Sequence, residues 1–231
     1  MYQYLLYRPN QWTGPVITII RAPLNSHIMA DLPERTASDH NEEIMRATYR
    51  ALCEHGYADL TIKRIAAEYG KSTAAIHYHY DTKEDLLAAY LDYLLDRFVA
   101  TIKDIETTDT EARLELLLDK LLVKPNEYPD LVVSMLEMGA QAPYKQSFRE
   151  RFQQHDEYVQ YTLKAVINHG IDESVFDDVD ATHAARTLMT IIDGARTRAV
   201  VLDDTEAFPT ARRMADEYVS TIRAVDESTD S

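Results

Sequence analysis

Apolar residues after position 39 recur at helical spacing, and no segment shows the strict alternation of a half-buried strand. Residues 40–55 place Ile44, Ala47, Ala51 and Leu52 on one stripe, with Asp39 and Glu42 spaced as a capping-box start and Gly56 as a stop. Ile62, Ile65, Ala66 and Tyr69 fall at i, i+3, i+4 and i+7, which predicts a two-turn helix. Thr61 stands at its N-cap, and Gly70 at a left-handed C-cap. A few residues on, Ile76 and Tyr80 point a second short helix inward and leave Thr73, Ala74, His77 and Tyr78 outside. Thr82 then caps a longer helix with acids in its first turn. Leu87, Leu91, Leu94, Phe98, Ile102 and Ile105 hold one of its faces to about Glu106.

Further along, Leu114, Leu117, Leu118, Leu121 and Leu122 predict a helix that stops near Pro125, followed by a segment from Glu127 to Gly139. A helix over 144–169 carries Phe148, Phe152, His155, Val159, Leu163 and Val166 on one stripe and is expected to end at Gly170. Another over 180–203 aligns Ala181, Ala184, Ala185, Leu188, Ile191, Ile192, Ala195, Ala199 and Leu202. A last one runs from about Thr210 to Val225, before the polar tail. The class is therefore all-α.

Two short helices joined by a tight, glycine-bearing turn form a helix-turn-helix, whose second helix enters the DNA major groove. The string from Ile44 to Leu91 also resembles the N-terminal domain of the TetR family of transcriptional regulators. The resemblance rests on Gly56-Tyr57, on Thr61 before Ile65-Ala66, and on Ser72 opening the second short helix. Ile76-His77-Tyr78-His79-Tyr80 and Thr82-Lys83-Glu84-Asp85-Leu86 complete it. Lys71 stands where the family usually has an apolar residue, and His77 where tyrosine is commoner. More faintly, Gly170, Phe176, Asp193-Gly194 and Arg198 resemble the C-terminal domain of BetI-like members.

Composition changes this picture in one respect. The net charge is −15, and even residues 41–90 hold eight acids against six bases, a poor start for binding phosphates. Acid excess suits a salt-loaded cytoplasm, where at about 1 M salt the Debye length is roughly 3 Å and repulsion is screened. A halophilic cell is one reading; an ordinary acidic cytosolic protein is the other. Residues 1–30 contain none of the 39 acids, three prolines and the only tryptophan. They read as a disordered arm or as sequence upstream of a true start at Met29. The single Cys53 leaves no internal disulfide to form. His77 and His79 lie at i and i+2 and do not share a helical face, so no metal is expected. No phosphate loop, nucleophile elbow or membrane span is legible, and neither a cofactor nor an enzymatic activity is expected.

The expected organisation is an extension (1–38), a helix-turn-helix domain (39–85), a regulatory and dimerisation bundle (86–226) and a tail (227–231). The resemblance implies a cytoplasmic, homodimeric repressor of double-stranded DNA, released by a small-molecule inducer that the chain does not identify. It places Thr73, Ala74 and His77 at the bases, Ser72 among the DNA-binding residues at the start of the recognition helix, and Lys63, Tyr78, His79 and Lys83 at phosphates. Lys83 with free amides at the helix start after Thr82 would form an anion site. The small-residue face of 180–203, with Gly194, and the helix over 144–169 suggest the dimer interface, the alternative being packing within one chain. Tyr128, Met135, Met138, Tyr144, Phe148 and Phe152 either line the inducer pocket or fill the core. A different class of function, a helical ligand-binding or interaction module without an operator, remains the alternative.

Overall fold

The computed structural model describes residues 39–103, 105, 107–122 and 129–224. The expectations for residues 1–38, for Glu106, Pro125 and Tyr128 and for the tail lie outside these. The order is α1 (Asp39–Asp59), α2 (Ile62–Tyr69), α3 (Thr73–His77), α4 (Lys83–Lys103), α5 (Thr110–Leu121), α6 (Pro129–Gln141), α7 (Gln146–Asp172), α8 (Ala181–Val201) and α9 (Ala207–Ile222). Among the described residues the only β-pairing is an isolated antiparallel bridge between Phe176 and Arg223.

α1 is broken at Gly56, whose φ of 66° and ψ of 169° lie in a region open essentially to glycine alone. Tyr57 therefore leaves the helix direction. α2 begins where the Thr61 hydroxyl accepts the Arg64 amide at 3.2 Å and ends at Gly70, left-handed with φ 71°. α4 opens on a reciprocal box. The Thr82 hydroxyl accepts the Asp85 amide at 3.0 Å, and the Asp85 carboxylate accepts the Thr82 amide at 3.1 Å. The Asp109 and Asp180 carboxylates cap α5 and α8 in the same sense.

Two apolar cores result. The first joins α1–α4 through Ile44, Leu52, Ile65, Ile76, Leu86 and Tyr90, and is closed by Met138 of α6 and Phe148 of α7. The second joins the ends of α4 and α7 with α5, α8 and α9 around Leu114, Leu118, Leu163, Ile167, Phe176, Leu188 and Phe208. α4 and α7 contribute to both cores, so a boundary at residues 85/86 is crossed by an unbroken helix.

Two expectations are corrected. Gly170 does not end its helix, which continues to Asp172. The glycine is there for space, because a Cβ on it would lie 2.2 Å from Cδ2 of Phe176. The small-residue face of α8 is buried within one chain. Ala181, Ala184, Ala185, Leu188, Ile192 and Ala195 all belong to the second core, where α8 packs on α7 and α9. Gly194 faces open space: among the described residues nothing lies within 4 Å of a Cβ built there.

Candidate nucleic-acid interface and regulatory cavity

α3 holds only five residues and keeps one of them, Ile76, fully buried. Around that anchor Ser72, Thr73, Ala74, His77, Tyr78 and His79 are all exposed, Tyr78 to 85%. Tyr80 turns back, its hydroxyl donating to Asn41 Oδ1 at 2.5 Å and tying the end of the motif to α1. Ser72 caps α3 through its backbone, with the carbonyl accepting the Ala75 amide at 3.0 Å; its hydroxyl makes no capping bond. The Tyr78 and His79 rings meet edge to face at 4.9 Å. The exposed set thus presents two hydroxyls, two imidazoles and a phenol on one projecting turn, groups able to donate to or accept from base edges and phosphates.

The expected cations are placed less uniformly. Lys63 is exposed on α2. Lys83 is half-buried, and its ammonium donates to the carbonyls of Tyr57 at 3.1 Å and Leu60 at 2.7 Å while lying 4.7 Å from the Tyr57 ring. Burial, and then the nearby Lys145, lower its pKa. The start of α4 is also less open than expected, because the Thr82 and Asp85 amides are taken within the capping box. Beside α3, Arg46, Arg50, Tyr69, Lys71 and Glu43 line a shallow concavity between α1 and the end of α2. Each of its cations faces a carboxylate: Arg46 that of Glu42 at 2.6 Å, Arg50 that of Glu68 at 3.0 Å and Lys71 that of Glu43 at 3.7 Å.

Four of the expected inducer residues gather in one core, and Tyr144 stands apart. Met138 and Phe148 are fully buried in the first core, with Met135 and Phe152 packed against it. Tyr144 is 86% exposed. The small cavity of the bundle lies elsewhere, about 40 Å³ between α5, α7 and α8, lined by Leu121, His155, Asp156, Val159, Met189, Ile192, Asp193 and Arg196. Arg196 reaches across it, donating to the Leu121 carbonyl at 3.0 Å and lying 3.4 Å from Asp193. Asp156 and Asp193 stay exposed, but partial desolvation against the cavity raises the pKa of both, while burial beside Arg196 holds His155 down to about 4, so that its imidazole is neutral. The His155 ring lies 5.2 Å from that of Phe98. Among the polar members, His155 lay on the predicted α7 stripe and Asp193 in the Asp193-Gly194 pair of the BetI-like resemblance, while Asp156 and Arg196 carried no local motif; the meeting of three helices brings them together.

Comparison with known proteins agrees with this geometry. Residues 44–90 match the model of bacterial regulatory proteins of the tetR family. Residues 110–224 match the C-terminal model of BetI-type transcriptional repressors. A TetR transcription regulator from Haloarcula marismortui is 72% identical in the solved structure, with a TM-score of 0.78 over 80% of this chain and 98% of that one. This haloarchaeal relative supports the reading of the acidic composition as an adaptation to salt. The repressor AcnR of Corynebacterium diphtheriae is 26% identical over 186 residues, 79% of this chain and 92% of its own. A transcriptional regulator from Saccharomonospora viridis, solved in complex with choline, is 25% identical with a TM-score of 0.70, covering 80% of this chain and 97% of that one. With a helix-turn-helix head and a BetI-type helical bundle in one chain, this protein is a DNA-binding transcriptional regulator of the TetR family.

Proposed function

We propose that the protein is a cytoplasmic homodimeric repressor whose hold on an operator is released by a small organic cation. The observation that carries the reading is α3, a five-residue helix with a single apolar anchor and every other side chain turned outward or to its margin. Ser72, Thr73, Ala74 and His77 face base edges. Lys63, Tyr78 and His79 hold phosphates, joined by the one N–H of Lys83 left beyond its two carbonyls.

One such head reads only a few base pairs, so specificity requires a second, two-fold-related copy roughly 34–36 Å away. With the small-residue face of α8 buried, the surface left for the partner is the other side of the last two helices. Gly194 lies open there, with Val201 63% and Met214 50% exposed. The ligand site is assigned to the cavity between α5, α7 and α8 in place of the Met-rich stretch. Asp156 supplies counter-charge, Asp193 adds to it once Arg196 turns away, and His155 with Phe98 supplies ring faces, a set that then favours a cation. The choline-bound relative has the same fold. At about 40 Å³ the cavity is far below the roughly 300 Å³ of a preformed ligand pocket, so binding must widen it and shift the helices around it.

At molar KCl the purified protein is expected to retard a duplex of its own upstream region as a complex of two chains, and choline or a related quaternary amine to release it. Val201→Asp is expected to give a monomer by light scattering and to lose the duplex. A wild-type complex containing one chain would defeat the dimer reading. Release insensitive to Asp156→Asn would move the ligand site elsewhere.

A further inference from the structure

The chain direction changes at Gly56, and the next residue is held on every side. Having left the helix, Tyr57 has no helical carbonyl for its amide, and an orphan N–H inside a protein requires an acceptor. The acceptor is Glu137 of α6, whose carboxylate receives the Tyr57 N–H at 2.8 Å across 80 residues of sequence. The other carboxylate oxygen of Glu137 lies against Gly56, 3.4 Å from where a Cβ would stand. On the opposite side of the same residue, the Tyr57 carbonyl accepts from Lys83, and the Tyr57 ring meets Phe148 of α7 edge-on at 6.3 Å. The link from α1 to α2 is thereby fastened to α6 through one charged acceptor.

We infer that Glu137 is a positioning residue for operator recognition, setting through the Tyr57 amide the angle at which α2 and α3 leave the body of the protein. The inference rests on the operator-binding reading above. Two heads must meet two half-sites at fixed separation, so a small rotation at each Tyr57 is doubled across the dimer and falls on specific binding first. Contacts to phosphates at random sites demand no such spacing. The same bond gives α6 its own grip on the reading head, beside that of α4.

The test uses the full chain, a duplex selected by the wild-type protein from a random pool, and an unselected duplex of equal length, all at molar KCl. Glu137→Ala removes the acceptor. Glu137→Asp keeps the charge but falls one methylene short. Glu137→Gln keeps reach and an acceptor oxygen without the charge. Alanine and aspartate are expected to weaken the selected duplex by roughly tenfold, about the worth of one hydrogen bond to a charged acceptor, and the unselected duplex by less than about twofold. Glutamine is expected to stay within about threefold of wild type on both. Thermal melting reports the folded fraction of each variant. Wild-type affinity in the alanine and aspartate variants, equal loss on both duplexes, or a glutamine variant that falls with alanine would each overturn the inference. A wild-type protein that selects no sequence would fail the operator reading itself, a result distinct from these three.

Discussion

At Gly170 the absent side chain is the functional feature. The Phe176 ring occupies the space a methyl group would need, and Phe176 is itself 2% exposed and bound through its amide to the Gly170 carbonyl at 3.1 Å. The ring cannot step aside cheaply, and overfilling a packed core of this kind typically costs about 1–3 kcal/mol. Gly170→Ala is therefore expected to lower the unfolding free energy by that amount, read as a lower urea midpoint at unchanged slope, and an unchanged midpoint would show that the ring yields. The sequence marks the glycine plainly but suggests the wrong reason, a helix stop. Its partner lies six residues away around a turn that no periodicity describes. Lys83 teaches the same lesson. Its place in the family pattern is visible in the chain, whereas the Tyr57 and Leu60 carbonyls that engage it are brought there by the fold alone.

Among the elements, α3 is the least able to stand by itself. Isolated helices shorter than about 12–15 residues are marginal in water, and this one has five residues and no side-chain cap. It owes its shape to Ile76 and to the Gly70 turn before it. Ile76→Ala, with a usual cost of about 2–5 kcal/mol for a buried large side chain, is expected to abolish operator binding while the C-terminal bundle keeps its helicity. Circular dichroism beside a DNA retardation assay checks this, and retained binding would show that DNA alone can order α3. The helices themselves were legible because caps and apolar stripes are local: Thr61, Gly70, Thr82 and the Ile65-Ala66 pair do what their spacing requires. The partner of a stripe is not local. The alanines of α8 fit a close-packed neighbour, and nothing in their spacing distinguishes a helix of the same chain from one of a second copy. The cavity escaped for the same reason, since Asp156 and Arg196 each read as an ordinary surface charge on its own helix and the Asp193-Gly194 motif did not say what Asp193 would face.

For the molecule as a whole, the charge pattern of the head decides how it meets DNA. An ordinary DNA-binding protein sheds condensed cations from the duplex as its free lysines and arginines replace them, and its affinity falls steeply with salt, by about 0.9 in log–log slope per phosphate neutralised. Here Arg46, Arg50 and Lys71 already face carboxylates of their own. Turning any of them toward a phosphate leaves an acid uncovered beside the most densely charged polymer in the cell, and a dissolved cation must move in to cover it. Ions taken up then offset ions released. The expected signature is a log–log salt slope well short of the contact count, approaching flat between 0.5 and 2 M KCl (roughly the range where screening is near complete). A slope as steep as about −0.9 per contact would refute it. The dissolved cation, on this view, is a stoichiometric component of the repressor–operator complex.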